Sequence, residues 1–473
     1  KINSTSVEKY PVIFFIQGGG FSVGTSMFIY SSEVLSTYND VVVVTFNYRL
    51  QALGYLSTQD DVAPGNWGMW DQVAALKWVK QNIEYFNGDP DAITAYGQSA
   101  GAVSVGLHML SPQSKGLFNQ AITQSGSAHV NWAVKLPPYD PMDSTIELAT
   151  KMDCPTGTST EIIDCLRTKN AFDIVANAFT IMDYDQLGFM VVVDGPGNFL
   201  PDDPFSLMER GEYQKMPYMS GYTKSELAVS AMAGIEDPNS GITRQEFREK
   251  IMKLVTAKKY DSCSDVIHED IARSMEFYYL PWEAPRDKIR LRDQYIKLES
   301  DADFVAGVHY SALGMLNDED NPKYIYRFDY ESESARYDDY VEVPHLEDLF
   351  YCFGRPHKRP LVDILPVPGF VKILERRWTD TDRVMADVSM ALWTNFAKYG
   401  NPTPEGHSIP GINGTWDKYK AGSKGVFHIN EQSAMNYDFD FHDVGYWYDY
   451  GAKVVESASN QCCDCQADQK AQE

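Results

Sequence analysis

Apolar residues along this chain fall into two recurring patterns. Short unbroken runs, Pro11 to Ile16 (PVIFFI) and Asp40 to Phe46 (DVVVVTF), end at Gln17-Gly18-Gly19-Gly20-Phe21 and at Asn47-Tyr48-Arg49. Runs of that length bounded by turn residues read as buried strands. In the second pattern Met69, Val73, Leu76, Val79, Ile83 and Phe86 step by three or four and line one helix face. That helix follows the turn Pro64-Gly65-Asn66 and stops at Asn87-Gly88-Asp89-Pro90, where Gly and Pro punctuate the chain. A strand over Ala92 to Tyr96, the turn Gly97-Gln98-Ser99-Ala100-Gly101 and a helix over Ala102 to Leu110 come next. Strand alternating with helix at this spacing predicts an α/β class fold, with a mostly parallel central sheet flanked by helices.

From about Asp140 to Asp185 the pattern turns polar and helical, with strands predicted at Met190 to Asp194 and Pro217 to Gly221. Thr243 to Leu316 reads as mainly helical and charged. An alternating strand follows over Lys323 to Tyr330, with Tyr324, Tyr326, Phe328 and Tyr330 on one face. A helix over Val384 to Lys398 precedes the turn Asn401-Pro402-Thr403-Pro404. The organisation expected is one sheet-based domain over 1–456 with helical cap insertions at about 140–185 and 243–316. A polar tail over 457–473 is expected to be disordered. No apolar run reaches the eighteen residues that a membrane-spanning helix needs.

Charge narrows the function classes. The 473 residues carry 41 Lys and Arg against 66 Asp and Glu, a balance of −25, which excludes binding to a phosphate backbone through basic contacts. The hydrophobic share of 44% is ample for a large packed core. Seven cysteines are an odd count, so at least one is free or intermolecular. Cys154 and Cys165 flank a polar stretch that suits either a small disulfide-closed loop, worth about 2–3 kcal/mol, or two ordinary thiols. Cys462, Cys463 and Cys465 cluster without a second CxxC or a His pair, so no metal is assigned. Sequons at Asn3 and Asn413, taken with a disulfide, favour the secretory pathway, as a secreted or lumenal glycoprotein. Lys1-Ile2-Asn3 lacks an initiator Met, and the expectation is an N-terminus that was removed or lies outside this chain.

The chemistry is concentrated in Gly97-Gln98-Ser99-Ala100-Gly101, a G-x-S-x-G sequence set after a strand and before a helix. A nucleophile elbow needs that context, because the Ser sits in a strained turn and the small flanking residues let strand and helix pass closely. An elbow also needs N–H donors for the negative charge of a tetrahedral intermediate. Ala100 offers one at the helix start, and Gly18-Gly19-Gly20 sits where the remaining donors are required. The chain order Ser, acid, His then directs the search for partners. Glu226 lies just beyond the strand Pro217 to Gly221, and His345 lies in a loop between Pro344 and Leu346-Glu347-Asp348. The other eight of nine His are expected to be surface or satisfied core residues.

With these segments in view the chain resembles the type-B carboxylesterase, or cholinesterase-like, family of α/β-hydrolases. The matching stretches include QGGGF (17–21), VVVVTFNYRL (41–50), APGNWGMWDQVAALKWVKQNI (63–83) and GDPDAITAYGQSAGAVSVGLHMLSP (88–112). Others are LFNQAITQSGSA (117–128), VVDGPGNFLPDDP (192–204), GYTKSELA (221–228) and VPHLEDLFYCFG (343–354). The resemblance implies an α/β-hydrolase fold and a serine hydrolase acting on carboxylic esters, a small-molecule ester as substrate, and no cofactor. It implies Ser99 as nucleophile, Glu226 as triad acid and His345 as base, with Gly19, Gly20 and Ala100 as the oxyanion hole. Trp132 would help line the acyl pocket, and Cys154–Cys165 would correspond to a family disulfide.

Three departures qualify that implication. Only sixteen residues precede Gln17, so the expectation is that edge strands, another disulfide and a choline-packing Trp are missing. Gln98 stands where the family usually has Glu, which makes a quaternary-ammonium ester a poorer substrate. Gln17 replaces His or Tyr, and Asp185-Gln186-Leu187-Gly188-Phe189 lacks the aromatic pair of a tight acyl pocket, so a roomier site is expected. The rival reading is a catalytically silent, neuroligin- or neurotactin-like adhesion protein of the same fold.

Overall fold

The computed structural model describes residues 8–26, 30–137, 139–183, 186–257, 265–358, 376–412, 414–439, 441–451 and 453. Its strands are β1 (Tyr10–Ile16), β2 (Val42–Thr45), β3 (Gly88–Gln98), β4 (Gln120–Gln124), β5 (Met182–Asp183), β6 (Gln186–Leu187), β7 (Tyr218–Thr223), β8 (Lys323–Phe328), β9 (Val426–Ile429) and β10 (Ala434–Asn436). Eight of these form one sheet in the order β10-β9-β8-β7-β4-β3-β1-β2, and β5 with β6 makes a separate pair. Every neighbouring pair in the large sheet is parallel except β9 with β10. The α/β-hydrolase architecture expected from the sequence is therefore present, with both sheet faces covered. Val12, Phe14 and Ile16 of β1 enter one core, while Ile13 and Phe15 enter the other. That alternation is the period-two pleat of a strand buried on both sides.

The helix predicted from Met69 to Phe86 is an α-helix over Trp67–Asn82, finished by a 3-10 turn over Ile83–Phe86 and a left-handed Asn87 with φ 61°. The face made by Tyr324, Tyr326, Phe328 and Tyr330 is buried in the second core with Trp393 and Phe396. Met190 to Asp194, predicted as a strand, is not one. Val192 is paired by a side chain instead: Asn66 Nδ2 donates to Val192 O at 2.8 Å, and Val192 N–H donates to Asn66 Oδ1 at 3.0 Å, while Val191 O accepts from Lys135 N–H and Asp194 N–H donates to Leu200 O. A run of apolar residues thus reads the same whether a strand or an asparagine pairs with it.

Between β7 and β8 the chain makes the helices Arg244–Ala257, Asp265–Tyr279, Lys288–Ser300 and Ala306–Gly314. The first three share a core of their own, including Phe247, Ile251, Met275 and Leu291. Pro141–Lys151, Ser159–Arg167 and Ala171–Ala178 are also helices, and Cys154 and Cys165 form a disulfide there. Cys352 is a buried free thiol. Asn3, Asn413, Cys263, Cys462, Cys463, Cys465 and the tail 457–473 lie outside the described residues. Among the described residues no helix is long and apolar enough to cross a membrane.

Candidate active site

Ser99 occupies the turn between β3 and the helix Ala100–Leu110, with φ 58° and ψ −127°. A non-glycine residue there is strained and persists only where its surroundings dictate it. Those surroundings are two close approaches that admit no side chain. A Cβ on Gly97 would lie 2.0 Å from Gly101 O, and one on Gly101 would lie 2.0 Å from Ile16 O. The spacing of the two glycines around Ser99 is thus a packing requirement. Ser99 N–H donates to Gln124 O at 2.9 Å, tying the elbow to β4.

Parallel pairing of β1 with β3, in register from Ile16 to Gly97, sets the Gly18-Gly19-Gly20 loop beside the elbow. Tyr48 Oη donates to Gln17 O at 2.7 Å and pins the start of that loop. Gly19 and Gly20 take φ 115° and 59°. Among the described residues neither N–H donates to a backbone carbonyl. Ala100 opens its helix, so its N–H has no intrahelical acceptor and lies at the positive end of the helix dipole.

Glu226 and His345 come from loops after β7 and β8. Register between β4 and β7 places Ser125 against the Glu226 loop, and Ser125 N–H donates to Gly221 O at 2.8 Å. The buried carboxylate of Glu226 is fully engaged. Oε1 accepts from Thr223 N–H at 2.7 Å and from Ser125 Oγ at 2.6 Å, while Oε2 accepts from His345 Nδ1 at 2.6 Å. His345 N–H also donates to Glu226 O at 3.1 Å, so both loops are locked together. Phe304 covers the imidazole with ring centroids 4.8 Å apart. Gln98 Nε2 lies 3.1 Å from His345 Nε2.

The helix after His345 anchors the loop from behind. Glu347 pairs with Arg376, both buried, and Asp348 Oδ2 accepts from Tyr326 Oη at 3.0 Å. Burial, reinforced by the charge of Glu226, pushes the Asp348 carboxyl up to about 7. Three other histidines are satisfied core residues, as expected. His108 contacts Gln72 and Ser114, His129 contacts Ser311 and Pro204 O, and His309 contacts Tyr222 and Tyr419. Burial pushes each of them down, to about 3, 4 and 3.

A cavity of about 200 Å³ adjoins the glycine loop, walled by Gly19, Gly20, Val23, Ile181, Gly188 and Phe189 among others. That is below the roughly 300–1,000 Å³ of drug-sized ligand sites, so it admits one small group. Trp132 sits elsewhere, against Phe304 with centroids 5.5 Å apart and its Nε1 donating to Asp303 O at 2.8 Å. It is not among the residues walling that cavity. Side chains of 182–187, including Gln186 and Leu187, are outside the described residues.

Sequence reasoning brought out Ser99, Glu226 and His345; the structure pairs Glu226 with His345 at 2.6 Å and sets Gln98, the neighbour of Ser99, 3.1 Å from His345. It did not find Ser125, Phe304, Asp348 or the Gln98 contact. Only Ser125 carried a local signal, as a small polar residue at the end of a strand neighbouring the elbow.

The Carboxylesterase family model matches residues 2–447. Among curated proteins, Neuroligin-2 of Mus musculus is 32% identical over 450 residues, covering 93% of this chain and 51% of that protein. Neuroligin-3 of Mus musculus is 33% identical over 448 residues, covering 92% of this chain and 51% of that protein. Bile salt-activated lipase of Bos taurus is 32% identical over 450 residues, covering 90% of this chain and 69% of that protein. The chain therefore spans about half the length of the neuroligins it matches. A family match across nearly the whole chain, joined to the sheet order and the strand-end site above, establishes that this chain belongs to the carboxylesterase family.

Proposed function

We propose that the protein is a serine hydrolase that cleaves carboxylic esters through an acyl-enzyme. The observation that carries this reading is the 2.6 Å contact of His345 Nδ1 with the buried Glu226 carboxylate, beside a strained Ser99. His345 takes the Ser99 proton at Nε2 as Oγ attacks the ester carbonyl, and Glu226 holds the imidazole in the required tautomer. The alcohol leaves with the proton from His345, and water then releases the acid by the same route. Backbone N–H groups of Gly19, Gly20 and Ala100 stabilise the oxyanion, each worth about 2.7–4 kcal/mol. The cavity beside Gly19 and Gly20 houses one small arm of the ester, and Phe304, backed by Trp132, covers the imidazole of the base. Side chains and backbone supply every proton and charge in this sequence, so no cofactor is assigned. The disulfide supports residence in the secretory pathway.

The test is labelling of the chain by a fluorophosphonate probe, which requires an activated serine. Labelling is expected in the native sequence and absent in Ser99→Ala of equal melting temperature. Labelling that persists in Ser99→Ala removes the assignment. A second reading, a binding protein of the same fold, is favoured by the neuroligins among the relatives. A well-folded chain that does not label supports it.

A further inference from the structure

The nitrogen of His345 that faces the elbow is already engaged by a residue the mechanism does not use. Gln98 Nε2 lies 3.1 Å from His345 Nε2, and Glu226 Oε2 lies 2.6 Å from Nδ1. An ionised carboxylate only accepts, so Nδ1 carries a proton. An amide NH2 only donates, so Nε2 presents its lone pair to Gln98. The ring is therefore in the tautomer that a general base needs, with its lone pair occupied. Among the described residues nothing hydrogen-bonds Ser99 Oγ.

The cost of this arrangement falls on the other end of the same amide. Gln98 is fully buried, and its Oε1 has no hydrogen-bond partner. An orphaned buried acceptor is unfavourable and calls for an explanation. Gly18 leaves the amide its room, since a Cβ there would lie 2.9 Å from Gln98 Oε1. The titratable groups around the ring are Glu226 at Nδ1 and Asp348 from the following helix, and Phe304 closes one face.

We propose that Gln98 is a positioning residue that latches the base, its amide N–H holding the lone pair of the neutral His345 ring and the amide turning over to offer Oε1 once the ring has taken the Ser99 proton. The inference rests on the reading of Ser99 and His345 given above. Turning the terminal amide by about 180°, an easy rotation for a glutamine, exchanges Nε2 for Oε1 at the same point. In the acylation step the Ser99 O–H bond breaks and its proton goes to His345 Nε2. The Oγ–carbon bond forms, and the carbonyl electron pair moves to the oxyanion. His345 Nε2 is then a donor, and the orphaned Oε1 of Gln98 gains an N–H to accept. The same side chain thus fits the neutral ring in one orientation and the protonated ring in the other.

The experiment compares the full chain with Gln98→Met, which keeps the volume and removes both amide atoms, and with Gln98→Glu. Two readouts are taken: the ¹⁵N resonance of His345 Nε2, which needs no substrate, and the pH profile of fluorophosphonate labelling. In Gln98→Met the Nε2 resonance is expected to move towards that of an unbonded lone pair. Labelling on the alkaline plateau is expected to rise about two- to thirteenfold, the range covered by one neutral hydrogen bond. In Gln98→Glu the carboxylate accepts from a protonated Nε2, and the midpoint of the labelling profile moves to higher pH. An Nε2 resonance unmoved in Gln98→Met, with normal labelling, overturns the latch alone. A moved resonance with no labelling in any form overturns the hydrolase reading and the latch with it.

Discussion

Replacing Gly18 by alanine puts one methyl group into the narrowest part of the site. The added Cβ would lie 2.5 Å from Gln98 O, 2.8 Å from Ser99 Cβ and 2.9 Å from Gln98 Oε1. Ordinary contact begins at 3.4 Å, so the glycine loop or the elbow must retreat by about 1 Å to relieve the first of these. Two of the three obstacles are backbone or a Cβ, and neither swings aside as a flexible side chain would. Gly18 shows no positive φ, so the effect is steric and free of backbone strain. A misplacement of about 1 Å between nucleophile and oxyanion donors costs on the order of 10²-fold in rate. Overpacking a tight contact costs about 1–3 kcal/mol in stability. The expected outcome is therefore a labelling rate of Ser99, and a turnover of a chromogenic ester, about a hundredfold below the native chain, with a melting temperature lowered by only a few degrees. Gly422→Ala is the control, because a Cβ there meets nothing within 4 Å. A Gly18→Ala variant that labels within threefold of the native rate would show that the loop is not held against the elbow as described.

Two further outcomes follow from the groups packed around Glu226 and His345. Ser125→Ala removes a 2.6 Å hydrogen bond to the buried Glu226 carboxylate, and bonds to charged groups contribute about 1.5–3 kcal/mol. Urea unfolding should show a lower midpoint with an unchanged slope, and an unaltered midpoint refutes the role given to Ser125. Asp348 keeps its proton in the folded chain up to about pH 7, while an unfolded chain releases it near the ordinary value of 3.8. A raised folded-state value means stability that is fully present below the lower figure and is lost as pH rises through the upper one. Asp348→Asn removes that loss, so its melting temperature relative to the native chain should climb between pH 5 and pH 8. A difference that stays flat over that window is the contrary result.

Much of this site is legible in the amino-acid sequence. G-x-S-x-G between a strand and a helix, a glycine triplet after an earlier strand, and an acid and a His after later strands point to one end of a parallel sheet. Parallel strands all finish at the same edge, so residues that follow them converge there whatever their separation in the chain. The cap helices were also visible as polar, charged helical stretches, and the aromatic face of β8, continued by Tyr330 just past its end, as strand alternation. Met190 to Asp194 was misread because apolar composition reports burial, and it does not say which group satisfies the backbone.

By itself, then, the sequence determined which residues can do chemistry and the order of elements that carries them, because local pattern and chain order encode strand, turn and helix directly. Tertiary structure decided what those residues touch. Ser125 reaches Glu226 across 101 positions, and Gln98 reaches His345 across 247. Contacts of that kind are set by strand register and loop height to within an ångström, a quantity no local pattern contains. That geometry engages His345 with Gln98, turns Gln98 Oε1 into an orphan and pushes the Asp348 carboxyl up.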